Sequence, residues 1–241
     1  MKRILVVALL WVFFSASSAQ AIMFVRGTGT ITSGGGGDYQ LIYDDVLDIT
    51  WLDYTRSANN WNVQNTWADD LVVSYDGLDL TGWRLPEVLP VNGSSYNYAW
   101  RSDGSSDIGF NISAPGSAYP ESTGSEMANL FYGSLGNYGA YDIYGRATPS
   151  WESQNTGYFD NLEAGRYWSG TISSNSNAFW FEFGTGAQDR FMNNATTSYR
   201  TLAVLDGDVP EVAPVPEPAT ILLVSAGLAG IAGARRKMKK K

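Results

Sequence analysis

Cysteine and histidine are absent from this 241-residue chain, and lysine occurs only at its two ends. Without histidine there is no Ser-His-Asp triad and no His-ligated zinc. Without cysteine there is no thiol nucleophile and no disulfide. A lysine-free body excludes Schiff-base chemistry and a phosphate-loop lysine, and no phosphate loop or dinucleotide fingerprint appears. What survives is carboxylate chemistry, chiefly glycoside hydrolysis by an Asp/Glu pair. Asp44-Asp45 and Asp69-Asp70 do not form such a pair, because adjacent residues on a strand or helix point in different directions. They read as turn chemistry and a solvated helix face, and no enzymatic activity is expected.

What the chain does carry is a destination. Lys2 and Arg3 precede an apolar run of eleven residues, Ile4 to Phe14, and a small polar stretch closing on Ala19-Gln20-Ala21. This is an export signal over residues 1–21, too short for an ordinary membrane span, with Ala19 and Ala21 set for signal peptidase and Ile22 as the mature start. The exported core must hold without covalent staples. Nine Trp, fourteen Tyr and ten Phe supply the buried area for it. Eight of the sixteen basic residues lie in the two ends, so the body sets eight Arg against all twenty-four acidic residues, a net charge of −16. That field keeps an exported protein soluble, excludes nucleic acid, and favours cations and neutral or basic partners.

Residues 22–37, rich in Gly and Thr, read as a flexible lead-in with one weak strand. Tyr39 to Tyr43 and Val46 to Leu52 flank Asp44-Asp45 as a hairpin. Val63, Trp67 and Leu71 recur every four residues and predict a helix over 61–75, capped by Asn60 or Asn62. A second helix is predicted from Ser125 to Leu135, with Thr123-Gly-Ser-Glu126 as a capping box. Residues 90–121, dense in Gly, Ser, Asn and Pro, read as a long surface loop. Strand-like runs follow at 166–171, 178–183 and 199–205. Two helices with six to eight short antiparallel strands predict an α+β domain.

Two acidic clusters, Asp103-Gly-Ser-Ser-Asp107 and Asp206-Gly-Asp208, offer oxygens for calcium but match no established calcium loop; no cofactor is otherwise expected. Thr81-Gly-Trp-Arg-Leu-Pro86, Tyr167-Trp-Ser-Gly-Thr171 and Tyr199-Arg-Thr-Leu-Ala-Val204 are more specific together. With Leu47-Asp-Ile-Thr-Trp-Leu52, they resemble the Lcl C-terminal domain family over residues 38–209. That resemblance implies a compact C-type-lectin-like domain and binding of polysaccharide in adhesion. The chain departs from the relatives of that family in lacking the cysteines of a formylglycine-generating enzyme and the calcium–sugar motifs of C-type lectins. Trp83, Leu85 and Pro86 themselves read as core and element end, Arg84 as the partner of a buried carboxylate, and Tyr167, Trp168 and Ser169 as strand interior. Tyr96, Tyr98 and Trp100, in the long loop, are the candidates for stacking on sugar rings.

The C-terminus opens on Val215-Pro-Glu-Pro218 after a linker at 210–215. Ala219 to Ala234 is uncharged, about 24 Å of helix at 1.5 Å per residue, short of the ~30 Å membrane core. Six basic residues follow and hold the terminus on the cytoplasmic side. Pro216-Glu217-Pro218, a marginal span at 219–234 and a basic cluster together resemble the PEP-CTERM sorting signal, covering 216–241. The resemblance implies an exosortase that removes the tail, in Gram-negative bacteria that produce exopolysaccharide. The expectation is an exported protein, held briefly at the inner membrane, then placed at the cell surface or in the matrix. The leading expectation is binding of exopolysaccharide or another glycan; a purely structural matrix role is the alternative, and a carboxylate-dependent glycosidase the further one.

Overall fold

The computed structural model describes residues 22–149, 154–173, 177–191 and 196–210. The signal residues Ala19 and Ala21, the motif Pro216-Glu217-Pro218 and the apolar run at 219–234 lie outside the described residues. Nine strands form one sheet: β1 (Met23–Ser33), β2 (Asp38–Asp44), β3 (Ile49–Asn59), β4 (Val72–Tyr75), β5 (Leu78–Leu80), β6 (Arg166–Ser173), β7 (Asn177–Glu182), β8 (Ala187–Phe191) and β9 (Tyr199–Asp206). Their order is β5-β4-β1-β2-β3-β9-β6-β7-β8. Every pairing is antiparallel except β6 with β9, which meet in parallel at Tyr167 and Arg200. The helices are short: α1 (Trp61–Asp69) and α2 (Glu126–Asn129), the latter continued by a π-helical turn over Leu130–Ser134. The protein is therefore mainly β, built on one large mixed sheet. This corrects the expected compact α+β, C-type-lectin-like unit with two substantial helices.

Each departure has a local cause. The lead-in is an interior strand, β1, between β4 and β2. Its glycine content reflects close packing: a Cβ on Gly29 would lie 2.5 Å from Val73 Cγ1. Ile31 and Met23 bury alongside it. Helix α1 is capped at Asn60, whose Oδ1 accepts from the Val63 N–H at 3.0 Å. It stops at Asp69 because the β-branched Val72 and Val73 pair with Ser33 and Ile31 of β1 instead. At α2 the cap is Ser125, whose Oγ accepts from the Ala128 N–H, while Glu126 is drawn away from any capping box by an arginine described below.

Packing sorts onto the two faces of the sheet. Ile42 and Trp51 are partners across β2 and β3, and they join Met127, Leu130 and Phe131 in the main core. Leu41 and Leu52, paired beside them, occupy the opposite face, since strand neighbours alternate. There Tyr54, two residues on from Leu52, meets Trp67 of α1 at 5.9 Å between ring centroids. Arg56 lies 4.9 Å from the centroid of the same Trp67 ring.

Residues 90–121 have no strand of their own, yet they are not a surface loop. Ile108, Phe110, Ile112 and Ala114 are buried. Asp107 organises the segment: its Oδ1 accepts from the Val91 N–H at 2.7 Å and its Oδ2 from the Asn97 N–H at 2.6 Å. Gly109 then exchanges two backbone hydrogen bonds with Gln188 on the outer strand β8, both 2.8 Å. Its φ is +121°, and a Cβ there would sit 1.8 Å from the Arg101 carbonyl oxygen. Gly109→Ala is expected to cost about 3 kcal/mol or more, read as a lowered denaturation midpoint. An unchanged midpoint would show that the segment is not pinned at this point.

Candidate functional site

The two sequence motifs at 83–86 and 167–169 meet in space. Arg84 exchanges backbone hydrogen bonds of 2.9 Å with Val204 inside β9, an antiparallel bridge further along β9 than its pairing with β6 at Arg200. The Gly170 N–H donates to the Pro86 carbonyl at 2.8 Å, and the Val88 N–H to Thr171 Oγ1 at 2.8 Å. β6 pays this junction with a break in its pairing to β7 between Trp168 and Ile172. Trp83, Leu85, Pro86, Tyr167, Trp168 and Ser169 are all buried. Trp168 Nε1 donates to the Asn59 carbonyl at 3.0 Å, and the Tyr167 hydroxyl joins Thr55 and Glu163. None of these side chains is positioned to take a ligand.

Arg84 joins this junction to α2. Its guanidinium meets Glu126 through two hydrogen bonds, 2.9 and 2.7 Å, and reaches Asp206 through two more at 2.9 and 2.7 Å. Glu126 also accepts from the Glu87 N–H at 2.7 Å. Burial works against the Arg84 charge, but the hydrogen bonds and charges of Glu126 and Asp206 outweigh it and hold the guanidinium pKa above its ordinary value.

The three stacking candidates separate. Tyr96 and Tyr98 stack on each other at 5.7 Å and 11°, and both lie against Phe179. The Tyr96 hydroxyl donates to the Val88 carbonyl at 2.8 Å, and Arg190 lies 3.6 Å from the Tyr98 ring centroid. Both rings are half-buried. Trp100 is 51% exposed and stands edge-on to Phe110, which in turn packs against Tyr141 at 5.0 Å.

That row leads to a cleft of about 420 Å³. Tyr132 lies in its wall, with its hydroxyl donating to the Gly186 carbonyl and accepting from the Asn111 N–H. Tyr138, 68% exposed, and Tyr141, 43% exposed, line it with their rings. Its two carboxylates differ. Asp142 is occupied by its own hairpin, accepting from the Tyr144 N–H, the Arg146 N–H and Arg146 Nε. These contacts, led by the Arg146 N–H, lower its pKa. Glu121 makes no side-chain hydrogen bond or ion pair among the described residues. Tyr138, Tyr141 and Glu121 were not singled out from the sequence. The signal available was the run Asn137-Tyr-Gly-Ala-Tyr141, aromatics interleaved with small residues.

The acidic clusters do not assemble as free oxygen sets. Asp103 accepts from the Ser105 N–H and hydroxyl, Asp107 holds its loop, Asp206 pairs with Arg84, and Asp208 takes Arg26 bidentately. Among the described residues no group of three or more Asp or Glu is arranged to hold a metal ion. Several single carboxylates are buried instead. Burial raises the pKa of Asp44, Asp53, Asp107 and Asp189, against N–H donors that lower it. The folded state therefore binds these protons more tightly than the unfolded chain, whose carboxylates titrate near ~4. Stability rises as pH falls from the raised native values toward that range. Below it, Asp103 and Asp142, whose pKa values are lowered, lose their contacts and the trend reverses. Calorimetry is expected to show the melting temperature rise as pH is lowered from neutral and fall again once ~4 is passed; a fall from neutral pH onward with no rise would contradict this.

The compact body runs to Asp208. Beyond it, residues 214–237 match the PEP-CTERM protein-sorting motif. The chain is an exosortase-targeted, secreted surface protein. Its tail anchors it transiently in the membrane before cleavage. Among the described residues no helix is long and apolar enough to cross a membrane, and the tail lies outside them. No curated protein and no solved structure matches the chain. The resemblance to the Lcl C-terminal domain gains no support from these comparisons.

Proposed function

We propose that the body released by exosortase processing binds polysaccharide at the cell surface or in the extracellular matrix, through the cleft lined by Tyr138 and Tyr141. The observation that carries this is a group of exposed aromatic residues: Trp100 and Tyr141, which both pack on Phe110, and Tyr138, which lines the same cleft as Tyr141. Ring faces of this kind stack on the apolar faces of sugars, and a cleft of this size accommodates a small part of a chain. Binding rather than hydrolysis is favoured because Asp142 is committed to its own turn, leaving Glu121 as one uncommitted carboxylate where glycoside cleavage uses two. The body's charge of −16 favours a neutral or basic glycan over a sulfated one.

A pull-down of the mature protein with a panel of insoluble polysaccharides tests this. At least one is expected to retain it, equally with and without a calcium chelator, and Tyr138→Ala with Tyr141→Ala is expected to release it. Absence of retention on every polysaccharide would leave a purely structural matrix role.

A further inference from the structure

Glu121 belongs to two depressions at once. It lines the cleft of Tyr138 and Tyr141, and it also lines a second, more open depression of about 670 Å³ that contains Tyr119 and Leu89. Tyr119 is 39% exposed and Leu89 53%. Glu121 thus lies between two surfaces that each present an exposed tyrosine.

Its backbone is unusual for its residue type. Glu121 has φ +61°, a left-handed conformation, and its N–H donates to the Ser113 carbonyl at 3.1 Å. Asn111 and Ser113, which line the same cleft, also have positive φ, +58° and +63°. Glycine or asparagine occupies such a conformation more easily than glutamate. Backbone economy therefore does not call for a glutamate here, and no arginine or N–H among the described residues uses its carboxylate. An uncommitted anion between two aromatic surfaces, on a body that already repels polyanions, suits a cationic ligand that also has sugar faces.

We propose that the two depressions are consecutive subsites for a polysaccharide bearing free amines, and that Glu121 pairs with an ammonium group of that chain as it passes between them. This rests on the glycan-binding function above. Tyr138 and Tyr141 supply stacking in one subsite and Tyr119 in the other, while Glu121 reads the charge.

The test measures retention of the mature, secreted protein on three β-1,4-linked polymers: an unsubstituted glucan, its N-acetylated aminosugar counterpart and the deacetylated form. Wild type is expected to prefer the deacetylated polymer by about tenfold, the size of one charge-assisted contact, and to lose that preference as salt is raised. Glu121→Gln is expected to bind all three polymers alike. Glu121→Asn is expected to do the same with an unchanged or higher melting temperature, an outcome a purely structural glutamate would not give. Equal binding of the three polymers by wild type, or a preference that survives Glu121→Gln, would overturn the proposal and leave glycan binding in place. Displacement by polylysine as effective as by the deacetylated polymer would also overturn it, showing attraction to charge alone. Failure to bind any of the three would count against this proposal and against the broader function together.

Discussion

Arg84→Ala is expected to destabilise the body by about 3 kcal/mol, the usual cost of breaking a buried ion pair from one side. In a domain of this size that lowers the melting temperature by roughly 6–12 °C. The cause lies in what remains. Glu126 has a side chain only 10% exposed, and without the guanidinium its charge keeps a single strong donor, the Glu87 N–H. The same substitution removes the side chain that ties α2 to the segment bridged to β9 at Val204. Arg84→Lys is expected to recover only part of the loss, because an ammonium cannot donate in parallel to both Glu126 oxygens. Asp206 provides the contrast. Its side chain is 76% exposed, so Asp206→Ala is expected to cost under about 1 kcal/mol despite two equally short hydrogen bonds. Denaturant melts of the three variants decide the point. Equal losses for Arg84→Ala and Asp206→Ala would show that burial of Glu126 does not set the energetics.

Replacing Pro216, Glu217 and Pro218 together with alanine is expected to abolish release of the body almost completely. Proline fixes its own φ and offers no backbone donor, a chemistry suited to an extended peptide that a membrane enzyme can cleave, and Glu217 has a proline on each side. Alanine has a far higher helix propensity than proline, so three alanines remove that restraint. Cells expressing the variant are expected to accumulate an unprocessed form in the membrane fraction, with little in the medium, while the fold of the body is unaffected. Release at the wild-type level would show that the Pro-Glu-Pro segment is not what the enzyme requires.

The parts legible in the sequence were those carried by local chemistry. The sorting tail is three features in a fixed order, and the family comparison finds it. Strand runs such as Ala178 to Phe183 declare themselves by composition, as does the Asn60 cap. What could not be read was set by distant partners. The glycines of β1 look flexible in isolation, and only the approach of Val73, forty-four residues on from Gly29, gives them a reason. Glu126 matched a capping-box spacing, but its carboxylate is used by Arg84. Residues 90–121 have loop composition, yet Asp107 and Gly109 fold them into the core through hydrogen bonds that no periodicity records. The cleft was hidden for the same reason. Tyr138 and Glu121 are seventeen positions apart, with no helical or strand register to relate them.

The central claim, that this is a body with a removable address, is tested most directly by the intact mass of the protein recovered from the producing cell's surface or medium. The expected species is a polypeptide that begins at Ile22 and lacks the apolar and basic segment at 219–241. A mature protein that still carries that segment would contradict it.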